Sequence, residues 1–107
     1  MSSLPSGLTQ FDLTGKRALI TGSSQGIGFA LAKGLATAGC TLVINGRNEG
    51  KLAEAKDDLE TDGATVDTLA FDVTDHAAAK SAIDAFEASC GPIDICVNNA
   101  GMQHRTE

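Results

Sequence analysis

The sequence predicts an α/β fold, the leading half of a doubly wound parallel sheet with strand order 3-2-1-4. Short apolar runs alternate with segments of helical three-and-four periodicity, and glycines follow several of them. The 107 residues, 42% of them hydrophobic, suit one packed domain. Because this alternation implies right-handed crossovers between parallel strands, we expect helices on both faces of the sheet.

The predicted elements follow one another in the order β-α-β-α-β-α-β. The apolar runs predict strands at 17–21, 41–45, 65–71 and 93–98, and the helical periodicity predicts helices at 27–38, 49–62 and 76–89. Asn48 and Asp75 are the predicted N-caps. Residues 1–11 lack apolar periodicity and are expected to form a flexible arm before the folded α/β portion over 12–107. Since a complete doubly wound domain usually continues after its fourth strand, we expect this portion to be truncated there.

Composition excludes several classes of protein. The chain has 8 Lys and Arg against 14 Asp and Glu, so it offers no basic surface for nucleic acid or an anionic membrane. Neither a secretory signal nor an apolar run of about 20 residues is present, which predicts a cytoplasmic protein. The 3 cysteines lack metal-ligand or disulfide spacing, and we expect no metal site and three reduced thiols packed as small apolar side chains.

A glycine-rich loop, Gly22-Ser23-Ser24-Gln25-Gly26-Ile27-Gly28, lies between the first predicted strand and the first predicted helix. The unpaired N–H groups and positive end of a helix attract phosphates without any basic side chain. An alternative is that the glycines only permit close helix–strand packing. The position of the loop within a β-α-β unit favours pyrophosphate binding.

The end of the second predicted strand distinguishes between two cofactors. Dehydrogenases that prefer NAD usually carry an acid there, whereas this chain has Asn45-Gly46 followed by Arg47. A guanidinium can bind a 2′-phosphate bidentately, and Asn48 can add an amide donor. The sequence therefore predicts NADP rather than NAD, although a solvated arginine at a helix start is the alternative.

Three motifs resemble those of short-chain dehydrogenases/reductases over about residues 11–105. Residues 21–28 are similar to the family's T-G-x-x-x-G-I-G signature, Asp72-Val73 follows the third predicted strand, and Asn98-Asn99-Ala100-Gly101 follows the fourth. The resemblance implies a Rossmann-type sheet. It also implies a set of cofactor-binding residues: Gly22, Ser24, Gln25, Gly26, Ile27 and Gly28 at the pyrophosphate, Arg47 and Asn48 at the 2′-phosphate, Asp72 and Val73 at the adenine, and Asn98, Ala100 and Gly101 at the riboses.

Two of these roles have structural alternatives. Asp72 could accept a hydrogen bond from the adenine amino group, or it could be a turn or capping residue. The Asn98-Asn99 pair could bind the cofactor, tie the end of the strand to the loop, or do both.

Within the family, Asn-Gly-Arg-Asn after the second predicted strand and Asn-Ala-Gly-Met-Gln-His-Arg-Thr after the fourth are most similar to gluconate 5-dehydrogenases. This implies a small sugar-acid substrate, gluconate or its 5-keto form, and we expect a homo-oligomer when the protein is intact. Residues 103–105 could orient the substrate or form a solvated loop. The alternatives are a ketone or acyl-thioester reductase of the same family and a non-catalytic nucleotide-binding module.

The family's proton transfer uses a tyrosine and a lysine in a Tyr-x-x-x-Lys helix together with a serine. This chain has 0 Tyr, so we identify no catalytic residue in it and expect that machinery beyond Glu107. The fourth predicted strand is typical of one buried on both faces in an intact sheet, and a chain that ends at Glu107 leaves its outer edge unpaired. We therefore expect residues 1–107 alone to be inactive and either to self-associate through that apolar edge or to stay folded only with support from crystal neighbours or the rest of the chain.

Overall fold

A computed structural model of the protein describes residues 13–24 and 26–99. In these residues the strands are β1 (Arg17–Ile20), β2 (Thr41–Gly46), β3 (Val66–Ala70) and β4 (Ile95–Val97), and the helices are α1 (Gly26–Thr37), α2 (Glu49–Thr61) and α3 (His76–Cys90). Every predicted element within these residues is therefore present. The proposed N-terminal arm lies outside the described residues.

The four strands form one parallel sheet of order β3-β2-β1-β4, which confirms the predicted topology. Leu19 of β1 lies opposite Val43 of β2 and Cys96 of β4. Since all four strands are parallel, their carboxyl ends lie at one edge. The crossover reverses direction between β3 and β4, and the switch point therefore falls between β1 and β4.

Alternate residues of β1 and β2 pack on opposite faces of the sheet. One face packs against α1 and α2, and its cluster includes Ala18, Ile20, Ala32, Leu42, Ile44, Leu52, Ala55 and Leu59. On the other face, Leu19 and Val43 contact Phe86 of α3. Helices thus cover both faces of the two central strands, as a doubly wound sheet requires.

Strand β4 is shorter than predicted and begins at Ile95. The N–H of Ile93 donates to Glu87 Oε2 of α3 at 2.8 Å, which directs this residue toward the helix. Asp94 meets the start of β1, where its N–H donates to the Arg17 carbonyl and its Oδ2 accepts from the Arg17 N–H, both at 2.9 Å. These contacts make residues 93 and 94 a connection between α3 and β4.

One expectation about the cysteines is wrong, because not all three thiols pack as small apolar side chains. Cys40 is buried, but Cys90 and Cys96 are exposed, so only one thiol packs as a core side chain. Cys90 ends α3, and Cys96 lies in the middle of β4, whose residues are half-buried or exposed. Among the described strands β4 pairs only with β1, and Cys96 belongs to neither core cluster, whereas Ile95 and Val97 pack against the first cluster as partly buried side chains.

Within residues 13–24 and 26–99, no helix has the length and apolar character needed to cross a membrane. No group of three or more His, Cys, Asp or Glu side chains in these ranges is placed to hold a metal ion.

Candidate functional site

The glycine loop connects β1 to α1 at the carboxyl edge of the sheet. Gly22 has φ 61° and Gly26 has φ 66°, left-handed values that side chains rarely adopt. A Cβ placed on Gly26 would meet nothing within 4 Å, so its conformation rather than lack of space requires glycine. Gln25, between them, lies outside the described residues.

Gly28 is needed for a different reason. A Cβ at this position would lie 2.3 Å from the Gly22 carbonyl oxygen, 2.6 Å from Asn99 Nδ2 and 2.8 Å from Ser23 Cα. The first turn of α1 therefore packs directly on the loop backbone. Close packing, one of the two interpretations of the glycines, therefore holds for Gly28, whereas Gly22 and Gly26 have backbone conformations that favour glycine, and pyrophosphate binding stays a prediction.

Ser23 fixes the loop to the ends of two strands. Its side chain is fully buried, and its Oγ donates to the Ile20 carbonyl at 2.6 Å and accepts from the Asn45 N–H at 2.9 Å. The Ser23 N–H donates in turn to the Asn45 carbonyl at 2.8 Å. Ser24 is half-buried and lies beside Gly46, where an added Cβ would approach Ser24 Oγ to 3.2 Å.

Asn45 is a structural residue that the sequence interpretation missed. In the sequence it stands out only as the absence of an acid, yet its side chain is buried and bonds to Gly22, Leu69 and Phe71. The signal for this role in the sequence is a polar residue that directly follows the apolar run of β2 and precedes Gly46.

The end of β4 is tied to the same loop. Thr21 Oγ1 lies 3.4 Å from Asn98 Oδ1, and the fully buried Asn99 donates from Nδ2 to the Gly22 carbonyl at 3.1 Å. Asn99 Oδ1 is also buried and has no hydrogen-bond partner among residues 13–24 and 26–99. The network that joins the strand end to the loop is therefore present. Ala100 and Gly101 lie outside the described residues.

Asp72 and Val73 follow β3 at the same edge. Asp72 Oδ1 accepts from the N–H of Thr74 at 2.9 Å and from its Oγ1 at 2.7 Å, so the alternative of a turn residue is correct. Its second oxygen, Oδ2, lies 3.7 Å from Arg47 Nη1. Asp72 thus connects the turn after β3 to Arg47, which directly follows β2. Val73 is half-buried beside it.

Arg47 and Asn48 lie where β2 turns into α2. The Arg47 side chain is 78% exposed, so its ion pair with Asp72 contributes little and can exchange with a stronger anion. Asn48 is the N-cap of α2, and its Oδ1 accepts from the Lys51 N–H at 3.0 Å. Capping uses the acceptor of this amide and leaves its Nδ2 as a donor.

The electrostatics of the edge favour an anion. The first turn of α1 contains no acidic residue, so the positive end of its dipole is not neutralised by its own side chains. Arg47 adds a full positive charge nearby in the fold, at the end of the adjacent strand. The arrangement can therefore attract phosphates at the loop and at the end of β2.

A doubly wound parallel sheet with a glycine loop at its switch point defines a class of α/β proteins that bind dinucleotides. The profile of the family described as short chain dehydrogenase matches residues 16–107, and the chain belongs to this family.

Two curated relatives of the chain are named as enzymes of gluconate or 5-keto-D-gluconate. The chain is 50% identical over 95 residues to a gluconate 5-dehydrogenase of Gluconobacter oxydans (strain 621H), an alignment that covers 89% of this chain and 37% of that protein. It is 42% identical over 95 residues to a 5-keto-D-gluconate 5-reductase of Escherichia coli (strain K12), with the same two coverages. The chain thus spans little more than a third of the length of these relatives.

A solved structure agrees with both the fold and the family. The crystal structure of a gluconate 5-dehydrogenase from Burkholderia cenocepacia J2315, in complex with NADP and tartrate, superposes with a TM-score of 0.78 at 51% sequence identity. The match covers 84% of this chain and 35% of that one.

Proposed function

We propose that this chain is the cofactor-binding part of an NADP-dependent oxidoreductase that interconverts gluconate and 5-ketogluconate. The observation that carries the proposal is the anchored glycine loop at the start of α1, with Arg47 at the end of the neighbouring strand. The names of the relatives from Gluconobacter oxydans and Escherichia coli support the substrate pair.

The loop suits a pyrophosphate in shape and in charge. Gly22 and Gly26 present backbone without side chains, and apart from the neighbours of Gly26 in its own helix no described residue comes within 4 Å of where a Gly26 Cβ would lie. Ser24 and the backbone of Ile27 complete the proposed phosphate contacts, with Gln25 between them. The N–H groups that begin α1 are the donors such a ligand needs, because the first turn of a helix has no internal partners for them.

The end of β2 suits a 2′-phosphate. Arg47 offers a bidentate guanidinium that forms an exposed ion pair with Asp72, and Asn48 retains its amide donor after capping α2. These groups support a preference for NADP over NAD. The solved structure from Burkholderia cenocepacia contains NADP, which agrees with this choice.

The remaining cofactor contacts are proposed by position. Asp72 and Val73 follow β3 and would flank the adenine, whereas Asn98, Ala100 and Gly101 follow β4 and would lie beside the riboses. When bound, the cofactor supplies or accepts the hydride. Because the chain contains 0 Tyr, the proton transfer of the family requires residues that this chain does not contribute. We propose that they follow Glu107 in the intact protein.

The test uses the protein at its full natural length. We expect NADPH oxidation with 5-ketogluconate and NADP reduction with gluconate, both followed at 340 nm (the absorbance of the reduced nicotinamide), and tighter binding of NADPH than NADH by calorimetry. Failure to bind either cofactor would overturn the proposed function. Faster turnover of cyclic ketones or acyl thioesters than of 5-ketogluconate would retain the cofactor and overturn the substrate.

A further inference from the structure

Asn45 connects three separate backbone segments at the carboxyl edge. Its Oδ1 accepts from the Gly22 N–H at 2.9 Å, and its Nδ2 donates to the carbonyls of Leu69 at 3.0 Å and Phe71 at 3.2 Å. Its own N–H and carbonyl bond to Ser23. With 1% of the residue exposed, these bonds form away from water.

Resting on the function proposed above, we propose that Asn45 is a positioning residue that joins the pyrophosphate loop to the adenine end of β3. Its side chain bonds to Gly22 on one side and, on the other, to Leu69 and Phe71, which lie shortly before Asp72 in the chain. It therefore holds two parts of the cofactor site at a fixed separation without contacting the cofactor.

The chemistry requires an amide at this position. The acceptor faces one N–H and the donor faces two carbonyls, so the reverse amide orientation would oppose like groups in all three contacts. An aspartate has almost the same shape but no donor when ionised. It would bring a buried negative charge against the carbonyls of Leu69 and Phe71, an unfavourable arrangement.

The inward orientation also bears on cofactor choice. An acid at the end of the second strand favours NAD when it accepts bonds from the ribose hydroxyls. The buried Asn45 side chain is directed at β3 and the loop instead. An acid at position 45 is therefore expected to disrupt the loop and to give no gain in NAD affinity.

The experiment compares Asn45→Asp with wild type in the full-length protein. Hydrogen exchange of a peptide covering the glycine loop should become about tenfold faster, because repulsion by the Leu69 and Phe71 carbonyls displaces the carboxylate and carries its acceptor away from the Gly22 N–H. The apparent affinity for NADPH should fall by about ten- to a hundredfold, since only the fraction of molecules with an ordered loop binds.

Two control variants separate positioning from general destabilisation and from direct binding. Leu59→Ala removes a buried side chain at the far end of α2; it should lower the melting temperature yet leave loop exchange and NADPH affinity within about twofold. Arg47→Ala should weaken NADPH binding while loop exchange stays at the wild-type rate.

The positioning role would be overturned if the loop of Asn45→Asp exchanged hydrogen at the wild-type rate. It would also be overturned if Asn45→Asp lost no more affinity for NADPH than Leu59→Ala does. A gain in NAD affinity would show that the side chain reaches the ribose and would also overturn it. If wild type binds no NADPH, the proposed function fails, and the exchange rates alone still decide whether Asn45 holds the loop.

Discussion

Substitution of Gly28 by alanine should separate the loop from α1. The added Cβ would lie 2.3 Å from the Gly22 carbonyl oxygen and 2.8 Å from Ser23 Cα, both backbone atoms, and 2.6 Å from the Asn99 amide. Backbone atoms cannot rotate away as the end of a long side chain can. The first turn of α1 must therefore shift from the loop, which moves the proposed phosphate donors.

The magnitude follows from two opposing effects. Overpacking of a tight site lowers the free energy of unfolding by about 1–3 kcal/mol. Because the added Cβ of Gly28→Ala would meet backbone atoms, its cost lies near the top of this range. Alanine also favours the helix over glycine by about 0.5–1 kcal/mol, which offsets part of this cost. We therefore expect Gly28→Ala to lower the free energy of unfolding by about 2 kcal/mol.

The same helix provides a matched control. Gly34 lies in the interior of α1, and a Cβ there would meet nothing within 4 Å. Gly34→Ala should therefore raise stability by about 0.5–1 kcal/mol, leaving a difference of about 3 kcal/mol between the two variants.

The assay is urea unfolding of both full-length variants, with NADPH titration of each. Gly28→Ala should lose NADPH affinity, and Gly34→Ala should keep it. Equal stability and equal affinity in the two variants would refute the close packing of α1 on the loop.

Three further predictions concern the ends of the strands and the thiols. Arg47→Asp should reverse the preference for NADP, and Arg47→Ala should weaken NADP about ten- to a hundredfold with little effect on NAD, because a charge-assisted bond contributes about 1.5–3 kcal/mol; equal affinities of the wild type for both cofactors would contradict this. Asn48→Ala should cost about 1 kcal/mol of unfolding free energy in urea titrations through loss of the α2 cap, whereas Asn48→Asp should keep the cap. Burial raises the pKa of the Cys40 thiol, so at neutral pH less of it is the reactive thiolate, and mass spectrometry after brief alkylation should find Cys90 and Cys96 modified first; faster labelling of Cys40 would contradict its burial.

The order and type of the helices and strands follow from local patterns in the sequence. Apolar runs and helical periodicity are local patterns, and they gave all seven described elements with end shifts of one or two residues. Handedness of the crossovers then limited the sheet to few topologies, of which 3-2-1-4 is correct. The position of the glycine loop followed from the same local signals.

Which residues hold the site together depends on hydrogen bonds and packing contacts between residues far apart in the chain. Asn45 meets Gly22 across 23 positions and Asn99 meets it across 77, and no local pattern indicates such pairs. The need for glycine at position 28 likewise depends on distant atoms, namely the backbone of Gly22 and Ser23 and the side-chain amide of Asn99.

The exposure of Cys96 and the turn at Asp72 also required the structure. An apolar run predicts a strand, but how much of it is buried depends on which elements pack on it. Asp72 is compatible with several roles in the sequence, and only the positions of Thr74 and Arg47 show what it contacts. Periodicity along a chain reports local geometry, whereas contacts between strand ends arise only after the sheet has assembled.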